Sequence, residues 1–298
     1  MPMNTFEVEG KTVCLFPGRQ PDAPVLYLNT FPGERERVLR ALRETGCADF
    51  SLVAVSNLDW NCDMAPWDAP PAFARSGPFT GGAQEYLGLL TQKIIPLAEG
   101  QLASAPRWRG IAGYSMAGLF AVYALCAADV FSRAASVSGS LWFPGMREYV
   151  LSHGRCRLPQ RIYFSLGSRE SKTRNPMLQR VAQNTQEIAA FYRGQGVDTL
   201  FELNPGSHFD HPDQRTARGI AWLLDGQDAA RQVRCPPPAE GTSICNTKGE
   251  VFHDLRHLQG RGLPCPKGAA CHPRRPADCG RPAGNTAALQ REVRWHGR

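Results

Sequence analysis

The chain has 298 residues, 42% of them hydrophobic, enough for a sizeable buried core, and a formal net charge of +7. That charge is confined: residues 1–228 carry 22 basic and 22 acidic side chains, whereas residues 229–298 carry 12 and 5. A neutral body excludes a nucleic-acid surface spread over the fold, and no run approaches the ~20 apolar residues of a membrane span. The first residues, "MPMNTFEVEGKTVCLFPG", show no basic segment followed by an apolar run, so a cytoplasmic protein is expected, with neither membrane nor nucleic acid as partner.

Taken in order, apolar runs of strand length alternate with segments of helical period. Strands are predicted at "KTVCLF" (11–16), 23–30, 50–56, "RGIAGY" (109–114), 133–138, "RIYFSLG" (161–167) and 199–203. Helices are predicted at 34–45, 83–97, 116–128, 177–195 and 214–224. Such alternation defines an α/β domain over residues 1–228, with a mostly parallel central sheet and helices on both faces. One long insertion, 58–84, is rich in Pro, Gly and aromatics. Its Trp60, Trp67, Phe73 and Phe79 predict a packed loop forming a pocket wall. Cysteines scattered irregularly through the body are expected to be reduced core residues.

Beyond residue 228 the character changes to a basic tail rich in Pro, Gly and Cys, with no sustained period, and it is expected to be disordered. Cys265, Cys271, His272 and Cys279 raise the question of zinc, but C-x5-C-H-x6-C lacks the paired short spacings of tetrahedral sites. No metal or cofactor is expected.

Chemistry concentrates at "GYSMAG". The run resembles G-x-S-x-G with Ala117 at the second glycine: a strand ends at Ser115, small residues flank it, and "LFAVYALCAA" continues as a helix. In such an elbow the serine hydroxyl stands clear of the sheet, and the Met116 N–H faces an oxyanion formed there. A serine hydroxyl needs a base to take its proton. Of the three histidines in the body, His208 lies in a Pro/Gly loop five residues after a strand, where the base belongs; His211 is second choice and His153 is expected to be exposed. Glu170, three residues past the end of the strand 161–167, is the candidate acid, ahead of Asp210, which is too near His208 in sequence. The second oxyanion donor is expected from Thr30 or Phe31, since Pro32 has no N–H. Trp60, Trp67 and Trp142 are candidate pocket walls, and Arg169, Lys172 and Arg174 form a basic cluster beside the acid.

Six stretches together carry a family resemblance: "VLYLNTF", "FTGGAQEYLGLLTQKIIP", "IAGYSMAGLFAVYA", "VSGSLWFPGM", "SRESKTRNPMLQRVAQNT" and "FELNPGSHF". Over residues 10–225 the chain resembles the esterase branch of the α/β-hydrolases that includes the ferric-siderophore trilactone esterases, with esterase D/S-formylglutathione hydrolase a more distant relative. The resemblance implies the α/β-hydrolase fold and a serine carboxylesterase acting on a small-molecule ester, siderophore esters among the options, through Ser115 and His208. Some relatives dispense with the acid in favour of a dyad. The alternative is a non-catalytic small-molecule binding protein of the same fold. Oligomeric state is left open.

Overall fold

The computed structural model describes residues 3–73, 76–154 and 158–225. The tail and Cys156, on which several sequence expectations fall, lie outside the described residues. Ten strands are described: β1 (Asn4–Val8), β2 (Lys11–Phe16), β3 (Val25–Asn29), β4 (Ser51–Ser56), β5 (Asp68–Ala69), β6 (Phe79–Thr80), β7 (Arg109–Tyr114), β8 (Arg133–Val137), β9 (Arg161–Gly167) and β10 (Asp198–Asn204). The helices are α1 (Glu34–Thr45), α2 (Ala83–Leu89), α3 (Ile95–Glu99), α4 (Met116–Ala127), α5 (Met146–His153), α6 (Val181–Gly194) and α7 (Pro212–Leu224).

Eight strands form one sheet in the order β1-β2-β4-β3-β7-β8-β9-β10, parallel from β4 to β10 and antiparallel at the β1–β2–β4 edge. Every residue of β3, β4 and β8 is buried, which explains why β3 and β4 carry the unbroken apolar runs "VLYL" and "LVAV" and not alternating ones. Helices cover both faces. Leu26, Leu28, Leu52 and Ala112 pack against Val38 and Leu42 of α1 and Ile220 and Leu223 of α7. On the other face Val25, Tyr27 and Ile111 share a core with α2, α4 and α6. Helix α4 is buried continuously from Ala117 to Cys126, so its apolar residues run all round it and leave no polar stripe.

Strand order reverses at β3. The chain leaves β3 through α1 to β4 on one side, then returns through α2 and α3 to β7 on the other. The C-terminal ends of β3 and β7 therefore flank the crevice where α/β sheets place their ligands.

The predicted strands and helices all form, within a few residues of their expected ends. Those missed are informative: β1 is a half-exposed edge strand, α5 is short, and a π turn at Leu90–Ile94 separates α2 from α3 within the single predicted helix. The described residues of the insertion pack as expected: Met64 and Ala65 are fully buried and β5 pairs with β6. Phe73, however, stands exposed.

Candidate active site

Ser115 joins β7 to α4 with φ 57° and ψ −120°, a conformation costly to an L-residue by about 1–3 kcal/mol. Its surroundings impose it. The Ser115 N–H donates to Val137 O at 3.1 Å, while its carbonyl accepts from Ser140 N at 3.0 Å and Leu119 N at 3.0 Å. The turn closes so tightly that a Cβ at Gly113 would lie 2.3 Å from the Ala117 carbonyl carbon, and one at Gly118 would lie 2.9 Å from Gly139 Cα. Gly113 must therefore be bare. The Ala117 methyl is fully buried and faces Gly113, where an added Cβ would lie 2.5 Å from it, so the bare glycine leaves the room that the methyl fills in place of the second glycine of G-x-S-x-G.

Three loops from distant parts of the chain converge here. His208 Nε2 lies 3.1 Å from Ser115 Oγ, and His208 Nδ1 lies 2.8 Å from Glu170 Oε2. A carboxylate accepts only, so the imidazole proton sits on Nδ1. That leaves the Nε2 lone pair for the Ser115 hydroxyl proton. Ser140 Oγ, 3.3 Å from Ser115 Oγ, is then the donor in that contact. Ser115 and His208 are partly exposed, whereas the Glu170 side chain is buried. Burial alone would raise the Glu170 carboxyl, but hydrogen bonds from His208, Gly167 and Ser138 outweigh it and hold the group below the usual carboxylate range.

The acid loop and the histidine loop are tied together: Ser168 N–H donates to Asn204 O at 2.8 Å and Arg169 N–H to Gly206 O at 2.9 Å. Asp210 shapes the histidine loop, accepting from Ser207 N at 2.6 Å and Ser207 Oγ at 3.0 Å, and leaves the imidazole to Glu170. The Tyr114 hydroxyl donates to the His208 carbonyl, anchoring the loop to β7. His211 immediately precedes α7 with φ 56°, and His153 is exposed at the end of α5 with its ring stacked on Tyr149.

The oxyanion candidates divide. Met116 is the first residue of α4, so its N–H is among those without an intrahelical acceptor. Asn29 of β3 pairs with Gly113 of β7, which brings the chain leaving β3 beside the elbow. Thr30 is a correction: its N–H donates to Val55 O at 2.9 Å, extending the β3–β4 ladder by one bond, and is spent there. The Phe31 N–H donates at 2.9 Å to Glu34 Oε2, which also accepts from Thr30 Oγ1 at 2.7 Å. Burial pushes the Glu34 carboxyl above its ordinary range despite these hydrogen bonds.

The tryptophans also divide. Trp60 stacks on Phe31, the remaining oxyanion candidate after β3, with ring centroids 4.0 Å apart. Trp142, two residues past Ser140, lines a cleft of about 540 Å³ with Phe143, Pro144, Arg147, Met177 and Arg180. Trp67 is a correction. Its indole N–H donates to Pro144 O at 2.8 Å and its ring packs edge-on against Phe143 and Tyr149, so it braces the insertion and does not line the cleft. In the basic cluster, Lys172 and Arg174 are exposed, and Arg169, also exposed, reaches Asp210 at 3.5 Å. Ser138, Ser140, Tyr114 and Arg215 escaped the sequence reading. The signal for Arg215 was available: a cation one helical turn before Gly219 and two before Leu223, on the apolar stripe of α7.

Fold and site together define a serine esterase of the α/β-hydrolase fold. Residues 30–208 match the family described as "Putative esterase", and the chain belongs to that family. Among curated proteins it is similar to the uncharacterized protein YbbA of Bacillus subtilis, 23% identical over 212 residues that cover 67% of this chain and 85% of YbbA. Among solved structures it is similar to the siderophore hydrolase EstA of Aspergillus nidulans, at 17% identity and a TM-score of 0.60 over 74% of this chain and 94% of EstA. It is also similar to an IroE-like serine hydrolase of Shewanella oneidensis, at 17% identity and a TM-score of 0.63 over 75% of this chain and 79% of that one.

Proposed function

We propose that the chain hydrolyses small-molecule carboxylic esters through a Ser115–His208–Glu170 triad and an acyl-enzyme, with siderophore-type esters as the leading substrate class. The observation that carries the reading is the continuous chain from Ser115 Oγ through the imidazole to a buried carboxylate, at 3.1 and 2.8 Å, on a serine held in the strained elbow conformation. In this reading His208 Nε2 takes the Ser115 proton as Oγ bonds to the ester carbonyl carbon, whose oxygen becomes an oxyanion. The Met116 N–H receives it, and so does the Phe31 N–H once Glu34 turns aside. Collapse breaks the ester C–O bond and His208 passes its proton to the departing alcohol oxygen. Water then attacks the acyl group with the same base, releasing the acid and restoring Ser115.

The catalytic body is proposed to be residues 1–228. The cleft lined by Trp142 would receive the distal part of the substrate, and the Trp60 ring, stacked on Phe31, would add an apolar wall beside the proposed oxyanion donor. The siderophore class is favoured by the kind of enzyme found among the similar folds, EstA of Aspergillus nidulans being one.

The test is labelling with a fluorophosphonate probe, with the modified residue mapped by mass spectrometry, followed by a panel of short acyl esters and catecholate and hydroxamate siderophore esters. Labelling at Ser115 that disappears in Ser115→Ala and falls in His208→Ala is expected. Folded wild-type protein that does not label would overturn the mechanism. Labelling with no turnover of siderophore esters would overturn only the substrate class.

A further inference from the structure

The two oxygens of the Glu170 carboxylate have different partners. Oε2 faces His208 Nδ1. Oε1 receives three donors: the Gly167 N–H, the Ser138 hydroxyl at 2.8 Å and Arg215 Nη1 at 3.4 Å. Arg215 rises from the first turns of α7, is 2% exposed, and is the bulkiest of the fully buried side chains among the described residues. Its Nη2 donates to Pro205 O at 2.9 Å, and Nη1 also reaches Ser138 Oγ at 3.3 Å. Ser138 is itself held in the left-handed region, φ 45°, with its N–H donating to Ser165 O at 2.8 Å.

A guanidinium taken out of water persists only where its charge and its N–H groups are matched. The carboxylate it meets here is the proposed catalytic acid. Glutamate also has one more rotatable bond than aspartate, so its carboxylate needs outside partners to present one chosen oxygen.

From these contacts we infer that Arg215, acting with Ser138, is a positioning residue: it immobilises Oε1 of Glu170 so that Oε2 alone faces His208. The inference rests on the triad proposed above. Arg215 touches neither Ser115 nor the imidazole ring in the hydrogen-bond network and acts through the acid. The charged and titratable groups facing this cluster are Glu170 from the loop after β9, Tyr114 from β7, and His208 and Asp210 from the loop before α7. Against them stands Arg215, whose buried guanidinium lies 3.4 Å from Glu170 Oε1 and favours the ionised carboxylate.

The experiment is a double-mutant cycle on the full chain with para-nitrophenyl acetate as substrate, comparing Arg215→Met, Arg215→Lys and Ser138→Ala, each alone and with Glu170→Gln. Arg215→Met is expected to lower kcat about 10- to 100-fold with KM little changed, and to move the low-pH edge of the rate profile to higher pH, because removing the cation favours proton uptake by the His208–Glu170 pair, which blocks the base. Arg215→Lys should recover part of the rate, and Ser138→Ala should lose less than Arg215→Met. On a Glu170→Gln background none of them should cost more than about twofold, because the group they position is gone. If Arg215→Met does not fold, the lysine and serine variants carry the same test. Losses that multiply with Glu170→Gln, or variants that lose thermal stability while keeping the wild-type kcat and pH profile, would make Arg215 purely structural. Fluorophosphonate labelling that ignores His208 and Glu170 would instead defeat the triad itself.

Discussion

Gly113→Ala tests the geometry of the elbow directly. The added Cβ would sit 2.3 Å from the Ala117 carbonyl carbon, 2.4 Å from its oxygen and 2.5 Å from its Cβ. Two of these are backbone atoms, so no rotamer change relieves the overlap. Restoring ordinary contact, ~3.5 Å between carbons, needs a displacement of roughly 1 Å between β7 and the first turn of α4. Overpacking of this kind costs about 1–3 kcal/mol. Ser115 lies between the two clashing segments, so its Oγ would leave the 3.1 Å contact with His208 Nε2. A misplacement of that size in a reacting group lowers kcat by roughly 100-fold. Gly88→Ala is the matched control: it lies in α2 with nothing within 4 Å of the new Cβ. It should stabilise by about 0.5–1 kcal/mol and leave kcat unchanged. Denaturant midpoints and para-nitrophenyl acetate turnover would be measured on both. A Gly113→Ala protein with wild-type stability and kcat would refute the claim that this contact shapes the site.

Glu170→Gln should lower kcat at least about 100-fold while leaving KM similar, since a neutral amide stabilises the imidazolium poorly and allows the wrong tautomer; a change under threefold in steady-state kinetics would argue for a Ser–His dyad. The same residue predicts a pH dependence of stability. Its folded pKa is depressed, so its stabilisation is full above the ordinary carboxylate range and is lost as pH falls through the lowered folded value. The unfolding free-energy gap between wild type and Glu170→Gln, followed by denaturant titration, should therefore narrow on acidification; a gap that widens would contradict this sign. Glu34→Ala should free the Phe31 N–H for the oxyanion and raise kcat by up to about tenfold, whereas a fall in kcat would mean that Glu34 serves to hold the loop.

Much of this molecule is local, and what is local was legible in the sequence. Buried parallel strands show as unbroken apolar runs, amphipathic helices show their period, and the crowded elbow requires small residues at Gly113, Ala117 and Gly118 around Ser115. The chain order serine, acid, histidine, each after a strand of one sheet, followed from the same reading and selected residues that the fold brings within hydrogen-bond reach.

Tertiary structure decided what depends on partners far apart in the chain. Thr30 lost its candidacy because Val55, on the neighbouring strand, claims its N–H, and register between strands is a property of the assembled sheet. Trp67 and Trp142 are equivalent as residue types, and only packing against Phe143, Tyr149 and Pro144 makes one a brace and the other a cleft wall. Arg215 lies 45 residues from Glu170. A single charge on the apolar face of α7 announces that something must match it; the matching carboxylate is named only when the loop after β9 folds against that helix.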